Sequence, residues 1–247
     1  MSTMPATQRA FAPGSINPRK RGTMAWGTLP CVLALGLLSA CSPIERSRNL
    51  ADPAVSGHTI AVQVCSTCHG GHGVAGSPNF PNLAAQQPDY LVEQLKAFKA
   101  HTRADPDATK YMWGLSKNLT EQQINDIATY FSAQQPAVTK SENTASLEHG
   151  KAIFEQGIAS TNVPACASCH GAGGEGRQQF PRVAGQHAEY VIKQLEVFKT
   201  TDLRPEAALM KTVAQGLSRS DMQSVALYLE AMPAGKALAG DALVSGK

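Results

Sequence analysis

Two Cys-x-x-Cys-His pentads, Cys65-Ser66-Thr67-Cys68-His69 and Cys166-Ala167-Ser168-Cys169-His170, are the groups in this chain best suited to chemistry. Two thiols three positions apart share one helical face and span the vinyl groups of a haem, and the histidine that follows projects under the porphyrin. The pattern is that of c-type haem attachment. Cys65, Cys68, Cys166 and Cys169 are therefore expected to hold two covalent haems c, with His69 and His170 as proximal iron ligands. A redox dithiol or half of a zinc site could use the same cysteines. Zinc would need the two pairs within roughly 15–20 residues of each other, or histidines at finger spacing. A thioredoxin-like site would need flanking strand and helix patterns, and neither pair has them.

A filled sixth iron position moves electrons, whereas an open one binds and activates small molecules. Met112 and Met210 are the candidates for that position, each seven residues before the leucine (Leu119, Leu217) that precedes a capped helix and each in a loop followed by glycine, Gly114 or Gly216. Methionine is also a common core filler. Met222 and Met232, which have no methionine counterpart in the other half, are read that way. His58, His72, His101, His149 and His187 do not repeat in register and are read as surface or hydrogen-bonding residues.

These groups sit in a duplicated frame. Asn79-Phe80-Pro81-Asn82-Leu83-Ala84-Ala85-Gln86 followed by Asp89-Tyr90-Leu91-Val92-Glu93-Gln94-Leu95 is matched by Gln179-Phe180-Pro181-Arg182-Val183-Ala184-Gly185-Gln186 followed by Glu189-Tyr190-Val191-Ile192-Lys193-Gln194-Leu195. Polar as well as apolar positions agree, so the match reports common ancestry. Each copy ends in a capping signal, Thr120 with Gln123 and Ser218 with Asp221, ahead of an apolar stripe at helical spacing. No run of strand-like alternation is convincing, so the class is all-α. The boundaries are a leader over 1–40, a tether over 41–55, one domain over 56–135, a linker over 136–145, a second domain over 146–233 and a tail over 234–247. Domains this small build limited cores from polypeptide alone, and haem supplies apolar mass.

The leader has a basic region at Arg19, Lys20 and Arg21, then an apolar stretch too short and too broken by Gly27, Pro30 and Gly36 to span a bilayer comfortably. It ends Leu38-Ser39-Ala40-Cys41, which resembles a bacterial lipobox with Cys41 as the lipidated residue; an ordinary secretory signal is the alternative. Two or more acyl chains would anchor the protein stably. The formal charge of +3 belongs to the full chain. Once Arg9, Arg19, Lys20 and Arg21 leave with the leader, 18 cations face 19 anions, and no basic patch points to nucleic acid.

The pentads, the Phe-Pro turns, the Ala184-Gly185-Gln186-His187-Ala188-Glu189-Tyr190 stretch and the terminal helix together resemble the dihaem cytochromes of the cytochrome c4 group. The resemblance covers nearly all of 56–232. It implies two class I cytochrome c domains related by a pseudo-twofold axis, with the haem propionates approaching across the interface. It also implies that the carbonyls of Pro81 and Pro181 hold the proximal histidine rings, and it makes Tyr90, Tyr190, Arg103 and Arg204 candidates near the propionates. The expected function is a periplasmic, membrane-tethered carrier of single electrons. Its donor would be a quinol-oxidising complex or dehydrogenase and its acceptor a terminal oxidase or reductase, with no small-molecule substrate. A permanent dehydrogenase subunit and a dihaem enzyme, such as a peroxidase or thiosulfate dehydrogenase, are the other classes.

Overall fold

The structure, a computed structural model, describes residues 49–137, 145–233 and 235. The expected leader, Cys41 and the body of the linker and tail lie outside the described residues. In the first half α1 (Gly57–Ile60) runs through a π-helical turn, Ala61–Cys65, into α2 (Ser66–His69). There follow α3 (Pro88–Lys99), a second π-helical turn Ala108–Met112 leading into α4 (Trp113–Ser116), and α5 (Glu121–Ser132). The second half repeats the order with α6 (Ala145–Gln156), α7 (Ala167–His170), α8 (Ala188–Thr200), α9 (Ala208–Gln215) and α10 (Arg219–Ala231). Among the described residues the only extended pairing is two isolated bridges, Ile158 with Val163 and Arg177 with Phe180. The fold is all-α, two copies of one helical unit in tandem.

Local chemistry explains the helix ends. Both capping boxes form: Thr120 Oγ1 accepts from Gln123 N at 3.1 Å and Thr120 N donates back to Gln123 Oε1 at 2.8 Å, with Ser218 and Asp221 doing the same in the second copy. Pro88 opens α3, where its missing N–H is one that no helix would use. The stripes then bury as separate cores. Leu91, Leu95, Ile124, Ile127 and Phe131 pack in the first half, and Phe154, Leu195, Met222, Val225 and Leu229 in the second. Leu50 and Val55, from the stretch read as tether, join the first core, and Gln123 Nε2 donates to the Val55 carbonyl at 2.8 Å.

In both halves the first helix crosses the last one, α1 over α5 and α6 over α10. The contact is glycine to backbone. A Cβ on Gly57 would collide with Asp126 Cβ and the backbone of Gln123, and one on Gly150 with the backbone of Ser224 and Tyr228 Cβ. Gly150→Ala is accordingly expected to cost about 1–3 kcal/mol by overpacking, read as a lower denaturant midpoint at unchanged slope.

One local expectation is corrected. Met112 closes a π-helical turn and Met210 lies inside α9, so neither methionine sits in a loop. Gly114 and Gly216, read as loop markers, stand within α4 and just after α9.

Candidate functional site

The pentad histidines are positioned by three local features. The pentad ends in one helical turn; glycine follows at once, Gly70 at φ +78° and Gly171 at φ +85°; and the chain then returns to bring a proline carbonyl to the ring. The left-handed φ is what glycine tolerates and other residues resist, and a Cβ at Gly70 would also strike the backbone of Val74. His69 Nδ1 lies 2.9 Å from Pro81 O and His170 Nδ1 lies 2.8 Å from Pro181 O. A carbonyl only accepts, so Nδ1 carries the proton in both rings, and Nε2 keeps its lone pair on a residue that lines the cavity. Burial lowers the pKa of both histidines, partly opposed by the proline carbonyl, which keeps the rings neutral. Phe80 and Phe180 stand edge-on to the rings, with centroids 6.1 and 6.4 Å away.

The first cysteine of each pentad is set in apolar surroundings. Burial pushes the Cys65 thiol up to about 12 and the Cys166 thiol to about 11. Such a site disfavours a thiolate, the form that zinc ligation or disulfide exchange requires, and suits a neutral thioether. Among the described residues no three or more His, Cys, Asp or Glu side chains converge as a metal cluster. Attachment of haem through both pentads fits this setting.

Opposite the pentads, the core helices leave a hollow. One continuous cavity of about 480 Å³ is lined by Cys65, Cys68, His69, Pro81 and Met112 of the first half and by Cys166, Cys169, His170, Pro181 and Met210 of the second. Every candidate group read from the pentads, methionines and prolines thus lines this one cavity. Met112 and Met210 are half-buried against their own cores, whereas Met222 and Met232 are buried in the second one, as packing residues are.

Where the two halves meet, the repeated loops bond reciprocally. Asn82 N donates to Gln186 Oε1 at 2.8 Å and Gln186 Nε2 to Asn82 O at 3.0 Å; Arg182 N donates to Gln86 Oε1 at 2.6 Å and Gln86 Nε2 to Arg182 O at 3.0 Å. Gln87 Nε2 reaches Glu175 O at 2.9 Å, and His187, its counterpart, reaches Ala75 O at 3.1 Å. Deeper in, each of two glutamine oxygens accepts from both of two arginines. Gln94 Oε1 takes Arg103 Nη1 at 2.6 Å and Arg204 Nη2 at 2.8 Å, while Gln194 Oε1 takes Arg204 Nη1 at 2.7 Å and Arg103 Nη2 at 3.1 Å. Asp105 and Glu206 neutralise the two guanidinium groups, and Phe98 and Phe198 lie beneath them. Burial opposes the Arg103 charge, but Tyr190, Tyr90 and Asp105 outweigh it and raise its pKa.

These interface residues were present in the repeat as identical polar positions, Gln86 with Gln186 and Gln94 with Gln194. That identity is the available signal, since these glutamines agree in register across the repeat. Arg103 and Arg204, flagged as candidates, are buried at the shared end of the cavity and not on the surface.

The comparisons agree with this geometry. The family model for cytochrome c matches residues 54–134 and again 147–233. Cytochrome c-552 of Acidithiobacillus ferridurans is 39% identical over 176 residues, which is 69% of this chain and 75% of that one. A thiosulfate dehydrogenase electron acceptor of Thiomonas intermedia is 32% identical over 175 residues, 68% of this chain and 78% of the relative. Among solved structures, cytochrome c4 of Acidithiobacillus ferrooxidans superposes with a TM-score of 0.63 at 40% identity, covering 68% of this chain and 98% of that one.

Proposed function

Because this chain belongs to the cytochrome c family, we propose that it is a membrane-tethered periplasmic carrier that passes single electrons between respiratory complexes, toward a terminal oxidase. At the coarser level it is a dihaem electron-transfer cytochrome carrying haem c, related to the cytochromes c4. Cys65 and Cys68 hold one haem and Cys166 and Cys169 the other; His69 with Met112, and His170 with Met210, complete the two irons. The observation that carries this reading is the meeting, twice, of a cysteine pair, a carbonyl-locked neutral histidine and a methionine on one apolar cavity.

Bound haem supplies a reversible one-electron couple. The chain's own residues set its terms. Pro81 O and Pro181 O fix the tautomer and orientation of the histidines and raise their basicity. With haem bound, ligation by a methionine thioether together with histidine would favour the reduced state relative to two histidines and would leave no position for a substrate. The side chains of Leu91, Leu95, Leu195 and Phe198 exclude water from the cavity walls. Arg103 and Arg204, each paired with its own carboxylate, line the cavity as the guanidinium donors that haem carboxylates would need.

Intact-mass measurement of the mature protein tests the cofactor assignment directly: two haem additions should survive acid–acetone extraction, and one addition would overturn it. The tether has its own test. Among the described residues no helix is long and apolar enough to cross a membrane. The lipobox-like Leu38-Ser39-Ala40-Cys41 supports an anchor at Cys41, and Cys41→Ser should move the protein from the membrane fraction to the soluble periplasmic fraction. The relative named as a thiosulfate dehydrogenase electron acceptor favours a second reading, in which the chain serves one dehydrogenase; stable co-purification with such an enzyme would select it.

A further inference from the structure

Three large apolar side chains stand exposed on one short stretch of the first half: Tyr111, Trp113 and Leu115, 40%, 38% and 38% accessible. Tyr111 and Leu115, one helical turn apart, also line the cavity on either side of Met112 in sequence, so they form the rim where the first pocket meets the surface. The rings are buttressed. Lys110 Nζ lies 4.9 Å from the Tyr111 ring centre and Lys117 Nζ 5.2 Å from that of Trp113; His101 stacks on Trp113 at 5.0 Å, and Phe80 packs edge-on to Tyr111 at 5.9 Å. Aromatic groups held in place lose little freedom on association, and tryptophan and tyrosine are the side chains most often central to an interface.

The cations nearest this rim are Lys110 and Lys117, and the carboxylate of Asp107 lies close enough to Lys110 to interact with it. Among the described residues neither Lys110 nor Lys117 forms an ion pair with a carboxylate; Asp107 is taken by Lys193 at 2.7 Å and Glu121 by Lys96 at 2.7 Å. The second half departs from this at the matching positions. Ala208, Leu209, Lys211 and Gln215 stand where the first half has Lys110, Tyr111, Trp113 and Lys117, and Lys211 is paired with Asp202. Common ancestry does not explain a difference between the copies.

We propose that the Tyr111–Trp113–Leu115 rim, flanked by Lys110 and Lys117, is the docking face for an acidic electron-transfer protein, and that exchange with it runs through the first half. The proposal rests on the carrier reading above. A ring of carboxylates around an apolar centre on the partner would match the two lysines around the aromatic centre here, steering encounter and leaving the rings to form the contact. In the exchange the reduced chain loses one electron and the partner's metal gains it, with no bond made or broken.

The test uses the haem-loaded full chain and, as probe, an acidic blue-copper protein, alongside the same protein with its surface carboxylates amidated. At low ionic strength the double variant Lys110→Glu/Lys117→Glu should slow the bimolecular rate about 10- to 100-fold, with the rate difference fading as salt rises. Trp113→Ala should weaken the calorimetric Kd about tenfold at unchanged charge. Lys211→Glu should change either quantity less than twofold, and the amidated probe should no longer discriminate wild type from the double variant. Equal sensitivity to Lys211→Glu, or none to the Lys110/Lys117 pair, would overturn the docking face. Reaction with a small neutral mediator separates the two levels: if wild-type protein cannot exchange electrons even with the mediator, the carrier reading fails, whereas normal mediator kinetics with an unaffected copper-protein rate sinks the docking face alone.

Discussion

Met112→Ala and Met210→Ala are each expected to remove about half of the long-wavelength methionine–Fe(III) absorption of the oxidised protein and to convert one of the two irons to a high-spin form. Each methionine lies on the cavity wall with its own pentad histidine, and alanine in its place leaves that position empty. The potential of the affected haem should fall by an amount on the order of 100 mV, since axial ligands move haem potentials over roughly 0.8 V in all. Peroxidase activity should be negligible in the wild type and appear in both variants. Met222→Ala is the control: that side chain is buried in the second core, so its loss should cost about 2–5 kcal/mol of stability with the absorption intact. Full absorption in Met112→Ala, or a high-spin iron in the untreated protein, would move the chain to the enzyme class.

Arg103→Met should be the most damaging change at the interface. The Arg103 and Asp105 side chains are 6% and 2% exposed and their Nε and Oδ2 atoms lie 2.9 Å apart. Removing one partner of a buried pair strands the other charge, at a cost of about 3–5 kcal/mol. It also withdraws a donor from Gln94 and one from Gln194. Arg103→Met/Asp105→Asn should recover most of the loss, because it removes the stranded charge. Arg204→Met should cost less, because the Glu206 side chain, 13% exposed, keeps more access to water than that of Asp105. Denaturant midpoints of the haem-loaded variants decide the order. Equal losses at Arg103 and Arg204, or no recovery in the double variant, would show that the carboxylates do not govern the energetics.

The sequence made legible whatever depends on local pattern. The pentads and duplicated stripes carried the all-α class, the paired domains and the capped terminal helices, because caps and periodicity act within a few residues. The proline carbonyls were reached through family resemblance, and both meet their histidines. The methionine segments read as loops because Gly114 and Gly216 look like breakers, yet packing against α3 holds α4 together around Gly114 despite glycine's propensity, and Gly216 ends α9 only after Met210. The four-way arginine–glutamine cluster could not be read at all from spacing. Its members come from separate helices and loops of both halves, and only tertiary folding brings Gln94 to Arg204.

The reciprocal bonds between the halves have a consequence for how the molecule holds together. Asn82 meets Gln186 while its positional equivalent Arg182 meets Gln86, so the loop surface of each half is self-complementary, the hallmark of an isologous dimer. As two separate chains, such halves would have to offset about 4–15 kcal/mol of lost rigid-body freedom on meeting, a heavy demand on a contact so rich in polar bonds. Joined in one polypeptide, they face each other at an effective concentration in the millimolar range without any added contact. Covalent fusion thus lets a mostly hydrogen-bonded seam keep the halves in register, and frees each copy to diverge on its outer face.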